Sequence, residues 1–168
     1  MQTIPGPYHL RRKEKTIQNE TEMLDVIKGQ CVMTIAMCRE SEPYLVSLNY
    51  GYDAAGRCFY FHCADDGKKM DFLMKNPVVW GQVLEDCGYL PGQCDHAFRC
   101  VMFHGKVDFL ATKAEKMHAL EVMINHCEPD PEPVKARLLV KGKLDKVIVG
   151  RIHIDDMSGK QAHTDKQG

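Results

Sequence analysis

The chain has 168 residues, 44% hydrophobic and 27% charged, with a formal net charge of −1. That length suits one domain around one core, and the near-neutral balance argues against a nucleic-acid binder, which normally carries a basic excess. No apolar run approaches the ~20 residues of a membrane span, and the first ten residues hold two prolines and no apolar signal-peptide core, so a cytoplasmic protein is expected.

Residues 1–18 read as a polar, extended arm, and the basic run Arg11, Arg12, Lys13 and Lys15 within it is balanced by nearby acids. Residues 21–29 read as a short amphipathic helix with Met23, Leu24 and Ile27 on one side and Gly29 at its end. Cys31–Met37 reads as a strand, residues 39–43 as a turn, Tyr44–Tyr52 as a second strand, and residues 53–56 as the turn into a third at 57–63. Residues 64–77 read as a helix that Asp65 or Asp66 can cap and that Asn76-Pro77 stops. Val78–Leu84 is a strand, residues 85–96 a Gly/Pro/Cys-bearing loop, and residues 97–110 a long strand bent near His104-Gly105. Thr112 and Glu115 form a capping box for a helix over 112–126. Residues 127–133 read as a loop, 134–140 are ambiguous, 146–154 make the last strand, and the polar tail after Gly159 is expected to fray. The domain proper is placed at 19–160, with 161–168 as a tail. Consecutive strands joined by short turns, without βαβ repetition, argue for a mainly β, antiparallel Greek-key barrel with peripheral helices.

Chemistry is concentrated in two stretches. In Phe59-Tyr-Phe-His-Cys-Ala-Asp-Asp-Gly-Lys-Lys69 a strand ends at His62 and a helix opens soon after. Backbone N–H groups at a helix start, with Lys68 and Lys69 in its first turn, make an anion site. Cations there oppose the helix dipole unless an anion offsets them, although spacing alone leaves a plain solvated pair the commoner explanation. On the preceding strand, Ser47 and Asn49 share one face and need polar partners. Eight cysteines and eight histidines are present, but no C-x-x-C spacing exists, so no metal site is expected. Without a secretion signal, so many cysteines suggest free thiols in a reducing compartment. No dinucleotide fingerprint, phosphate loop or nucleophile elbow is present.

The string Arg11-Arg-Lys-Glu-Lys15, then Pro43-Tyr-Leu-Val-Ser-Leu-Asn-Tyr-Gly-Tyr-Asp53, then Tyr60-Phe-His-Cys-Ala64 with Gly67-Lys-Lys-Met-Asp-Phe-Leu-Met-Lys-Asn-Pro77, resembles the pyridoxamine 5′-phosphate oxidase-related FMN-binding family, nearest its nitroimidazole-resistance branch. Phe98–Gly105 and Val147–Lys160 resemble its later strands, so that the likeness runs over roughly residues 10–160. The resemblance implies a six-stranded split barrel and a homodimer with FMN at the subunit interface. It implies cofactor contacts at Ser47, Asn49, Tyr50, Phe61, His62, Lys68, Lys69 and Cys100. The lysines would take the phosphate, and Cys100 stands where relatives carry Gln or Ser. His62 is the one candidate for a catalytic role. The C-terminal Arg/His motif of the oxidase itself has no counterpart after Gly159, so pyridoxamine phosphate oxidation is not expected. The implied function is an FMN-dependent oxidoreductase acting on a small-molecule electron acceptor. A non-catalytic flavin carrier, or a haem-binding barrel with His62 or His104 as ligand, are the alternatives.

Overall fold

The computed structural model describes residues 12–139 and 147–163. In chain order it contains a 3-10 turn at Lys13–Lys15, then β1 Thr16–Ile17, α1 Glu20–Gly29, β2 Val32–Arg39, β3 Glu42–Asn49, β4 Gly51–Asp53 and β5 Cys58–Cys63. It continues with α2 Lys68–Lys75, β6 Val78–Leu90, β7 Asp95–Phe109, α3 Lys113–Cys127, α4 Pro131–Leu138 and β8 Ile148–Ala162. All strand pairs are antiparallel, and they form one sheet in the order β3-β2-β6-β7-β8-β5-β4, with β1 alongside β8. The two ends of that path, β3 and β4, are not hydrogen-bonded to each other. They are successive pieces of the one strand expected over 44–52, interrupted at Tyr50. The sheet therefore curls round without closing, as a split barrel. The six expected strands are all present once β3 and β4 are taken together, and the two-residue β1 is an addition.

Alternation explains where the core lies. Met33, Ile35 and Met37 of β2, Val79 and Val83 of β6, Val101 and Phe103 of β7, and Phe59 and Phe61 of β5 point inward and are buried. A second cluster, Cys58, Tyr60 and Val149, faces out from β5 and β8 and is covered by Ala119 and Met123 of α3. At the position where a bend was expected, the β7–β8 pairing shifts register between His104 and Gly105, and the extra residue is Asp155 on β8. A Cβ at Gly105 would stand 2.1 Å from the His153 carbonyl oxygen, so only glycine lets β8 approach there. The capping box on α3 is formed as expected: Thr112 Oγ1 accepts from the Glu115 amide, and Glu115 accepts from the Thr112 amide.

Several boundaries differ from the sequence reading. Thr16 and Ile17 are not free arm: they pair with Lys160 and Gly159, and Ile17 is buried. The expected loop 85–96 is mostly hairpin. β6 runs to Leu90 through a bulge at Gly88 (φ 102°), and only residues 91–94 turn. The glycines were read as a loop, whereas Gly88 serves the bulge and Gly92 (φ 80°) the turn. Gly29 closes α1 as its last helical residue, with extended Gln30 beyond it. The loop expected over 127–133 ends early: α4 begins at Pro131, in its first turn, and runs on to Leu138 through the stretch left ambiguous. β8 continues to Ala162, because Lys160, Gln161 and Ala162 pair with Cys100, Arg99 and Phe98; the frayed tail expected from Gly159 is strand as far as that. Residues 1–11 and 164–168, the remainder of the arm and tail, lie outside the described residues, as does the expected strand start at 146. Among the described residues, no helix is long and apolar enough to cross a membrane.

Candidate functional site at the barrel split

The split is where β3 leaves β5. The β4–β5 register pairs Gly51 with Tyr60. Carried two residues on, it sets Asn49 across from His62, and these two side chains line one cavity of about 320 Å3. The opposite wall comes from Leu120, Met123, Ile124 and Cys127 of α3, with Val134 and Leu138 of α4. His62 is exposed, as the last outward position of β5. Asn49 donates Nδ2 to the Cys31 carbonyl at 3.3 Å, which leaves its side-chain oxygen free to accept. Ser47 stands one alternation back along β3, exposed, sharing a 3.3 Å hydroxyl contact with Thr34 on β2.

Beyond His62 the chain turns at Gly67 (φ 100°) into α2. Neither Asp65 nor Asp66 caps this helix, contrary to the sequence expectation. The N-cap is Gly67, with no side-chain cap bond. Its carbonyl takes the amides of Met70 and Asp71, and the amides before them are uncapped. Lys68 reaches back over β3: its Nζ lies 2.8 Å from Glu42 and 5.0 Å from the Tyr44 ring centroid. That contact holds the Glu42 carboxyl below its ordinary pKa. Lys69 turns the other way, 5.8 Å over the Phe61 ring. Lys68 is thus engaged by Glu42 and Tyr44, and an anion at the helix start would compete with Glu42 for it.

Two of the expected contacts have their side chains inside the barrel. Tyr50 follows Asn49 and so points inward. It is fully buried, and its hydroxyl donates to the Ile27 carbonyl at 2.5 Å. Burial drives its phenol pKa upward. Phe61 is likewise fully buried in the main cluster. Only the backbone of these two residues is available to a ligand at the split.

Cys100 lies elsewhere on the sheet. It pairs with Leu84 and Lys160 and lines a separate cavity of about 290 Å3 with Gln82, Phe98 and Met102. Burial pushes its thiol pKa up. The register nevertheless puts Ser47 and Cys100 on the same outer face, through Thr34, Gln82 and Met102. That face is unusually apolar: Val32, Leu45, Trp80 and Leu84 are all between 44% and 64% exposed. His104 is 7% exposed, with Nδ1 3.3 Å from Asp155 and its ring against Trp80, so it is already occupied. Among the described residues no group of three or more His, Cys, Asp or Glu could hold a metal ion.

Sequence reasoning missed Glu42 and Tyr44, the partners of Lys68, because nothing local links residues 26 apart. It also missed the wall from α4, whose apolar Val134 and Leu138 lie in the stretch left ambiguous.

The family model described as pyridoxamine 5′-phosphate oxidase matches residues 19–161. No curated protein matches the chain. Among solved structures, a candidate 5-nitroimidazole antibiotic resistance protein from Bacteroides thetaiotaomicron superposes with a TM-score of 0.72 at 24% identity, covering 87% of this chain and 86% of that one. A FAD-binding protein from Mesorhizobium loti gives 0.64 at 25% identity, covering 88% and 97%. The FAD and heme binding protein of Mycobacterium smegmatis gives 0.74 at 15% identity, covering 89% and 74%.

Proposed function

The chain belongs to the pyridoxamine 5′-phosphate oxidase family, and on that premise we propose that it holds FMN along the split between β3 and β5 and passes electrons to a small acceptor. The observation that carries this reading is the facing pair Asn49 and His62 on one cavity; the uncapped start of α2, with Lys68 and Lys69 in its first turn, follows His62 along the chain. A long ligand with an anionic end, a polar chain and a flat apolar ring fits that sequence of surfaces. The helix start and the lysines suit a phosphate. Ser47 and Asn49 offer a hydroxyl and an amide oxygen to polar edges, and Tyr50 and Phe61 contribute backbone alone. When bound, FMN supplies the redox chemistry, and the protein sets its position and surroundings. In this reading His62, exposed at the cavity, is the candidate for a catalytic role. The names of the similar proteins support a flavin; two of the three refer to FAD. The choice of FMN rests on Lys68 and Lys69 at the start of α2, which suit a terminal phosphate.

The reading includes a homodimer. The exposed face with Val32, Leu45, Trp80 and Leu84 suits burial against a second copy. Cys100, on that same face, would reach a flavin only through such an interface.

The test is to purify the chain, reconstitute it with FMN, and record a visible spectrum before and after anaerobic addition of a reductant and a nitro-aromatic acceptor. The expected result is a bound flavin that bleaches on reduction and recovers its colour with the acceptor. A chain that takes up no flavin, or that shows a haem Soret band instead, overturns the proposal. Bound flavin without turnover would leave the carrier role and exclude the reductase.

A further inference from the structure

The C-terminal ends of two helices meet at the cavity of the split. Ile124 and Cys127 belong to the last turn of α3 and Glu128 is its C-cap residue, and all three line the cavity. Leu138 ends α4 and Leu139 is its C-cap residue, and both line it as well. Carbonyl groups at the end of a helix lack amide partners within it, and that end carries a partial charge of about −0.5. Two such ends bear on one space of about 320 Å3.

The polar side chains add to the same sign. Glu128 is exposed, and among the described residues it is in no ion pair. Asn49 gives Nδ2 to the Cys31 carbonyl and keeps its side-chain oxygen to accept. A neutral His62 ring carries one acceptor nitrogen. Two basic groups close in sequence are engaged elsewhere: His126 Nε2 lies 2.8 Å from the Gln30 carbonyl oxygen, and Lys135 Nζ lies 2.6 Å from Glu132. Among the described residues no Lys or Arg side chain lines the cavity. The rest of the wall, including Leu120, Met123 and Val134, is apolar.

We propose that this cavity binds small organic cations, an amidinium or a protonated amine carried on a flat or short apolar body. The body packs on the apolar wall from α3 and α4, and the charged N–H groups donate to Glu128 and to the Asn49 oxygen. A carboxylate of the same size is repelled by Glu128 and by both helix ends. A neutral amide keeps the donors and loses the charge, so it binds more weakly than the cation. The inference shares its cavity with the proposed function but depends on the protein wall alone, not on a flavin.

The test is calorimetric titration of the full-length chain with benzamidine, benzamide and benzoate, which share one ring and differ in head group and charge. The expected result is saturable binding of benzamidine that added salt weakens, weaker binding of benzamide, and none of benzoate. Glu128→Gln should weaken benzamidine about tenfold, as loss of one charge-assisted contact does. Asp130→Asn, which neutralises an exposed acid outside the cavity lining, should leave that affinity unchanged. Benzamide or benzoate binding as tightly as benzamidine, no saturation with benzamidine, or an affinity that Glu128→Gln alters no more than Asp130→Asn does, overturns the proposal. Flavin uptake, read by absorbance on the same preparations, reports separately on the proposed function.

Discussion

Tyr50 shows how one residue divides a strand between two tasks. Its neighbour Asn49 points out to the split, while Tyr50 turns in, buries its ring against Phe59 and satisfies the Ile27 carbonyl near the end of α1. Tyr50→Phe removes the donor and leaves that carbonyl unpaired, so a loss of about 1–2 kcal/mol in urea unfolding is expected, with the split surface unchanged. The same burial has a pH consequence. Desolvation raises the phenols of Tyr50 and Tyr60 above their ordinary values. The folded state therefore binds more protons than the unfolded chain once pH passes the unfolded tyrosine pKa of about 10. Stability should fall with rising pH from there, and Tyr50→Phe should flatten that slope; a slope unchanged in the variant would show that Tyr50 is not the titrating group. From sequence, alternation alone put Ser47 and Asn49 on one face, and the structure shows that this face points outward. The inward turn of Tyr50 follows from the same alternation, but the family resemblance pointed to a flavin contact and masked it. The ties of Lys68 to Glu42 and Tyr44 were not legible, because they depend on how far α2 folds back over β3.

At the scale of elements, the cavity exists because α3 lies close against β4. A Cβ added at Gly51 would sit 2.6 Å from the Met123 Cα and 2.7 Å from its backbone nitrogen. Backbone cannot rotate aside as a side chain can, so Gly51→Ala should push α3 outward. A destabilisation of about 2 kcal/mol is expected, together with weaker flavin binding, since Met123 and Leu120 form the wall opposite Asn49 and His62. Stability and affinity measured on the same variant check this; loss of neither would mean that the helix is free to shift. The capping box made α3 readable from Thr112 and Glu115. The start of α2 misled, because Asp65 and Asp66 are good capping residues by type, yet the chain enters the helix through the left-handed turn at Gly67. That displacement leaves the start of α2 without a side-chain cap, and the proposed phosphate contact depends on it. The β6–β7 hairpin was read as a loop because glycine marks a bulge and a turn with the same letter.

At the scale of the molecule, the order of strands and turns was enough to indicate a barrel of this class, whereas its opening was not readable from periodicity. The strand over 44–52 carries a continuous pattern, and only the sheet path shows that it belongs to both ends. The apolar outer face is also invisible to a strand-by-strand reading. Leu45 and Trp80 become neighbours only through their shared partner Ala36. If that face joins two copies, Leu45→Glu with Trp80→Glu should shift sedimentation from dimer to monomer while leaving the circular dichroism of the sheet intact; a wild-type monomer would refute the interface. The central claim concerns the phosphate, and one comparison addresses it most directly: equilibrium titration of the wild-type chain and of Lys68→Ala/Lys69→Ala with FMN and with riboflavin, which lacks the phosphate. The account predicts that the wild type prefers FMN, and that the double variant loses about 2 kcal/mol toward FMN, roughly thirtyfold, with riboflavin affinity little changed. Equal affinity for the two flavins in the wild type, or an FMN affinity indifferent to both lysines, would contradict it.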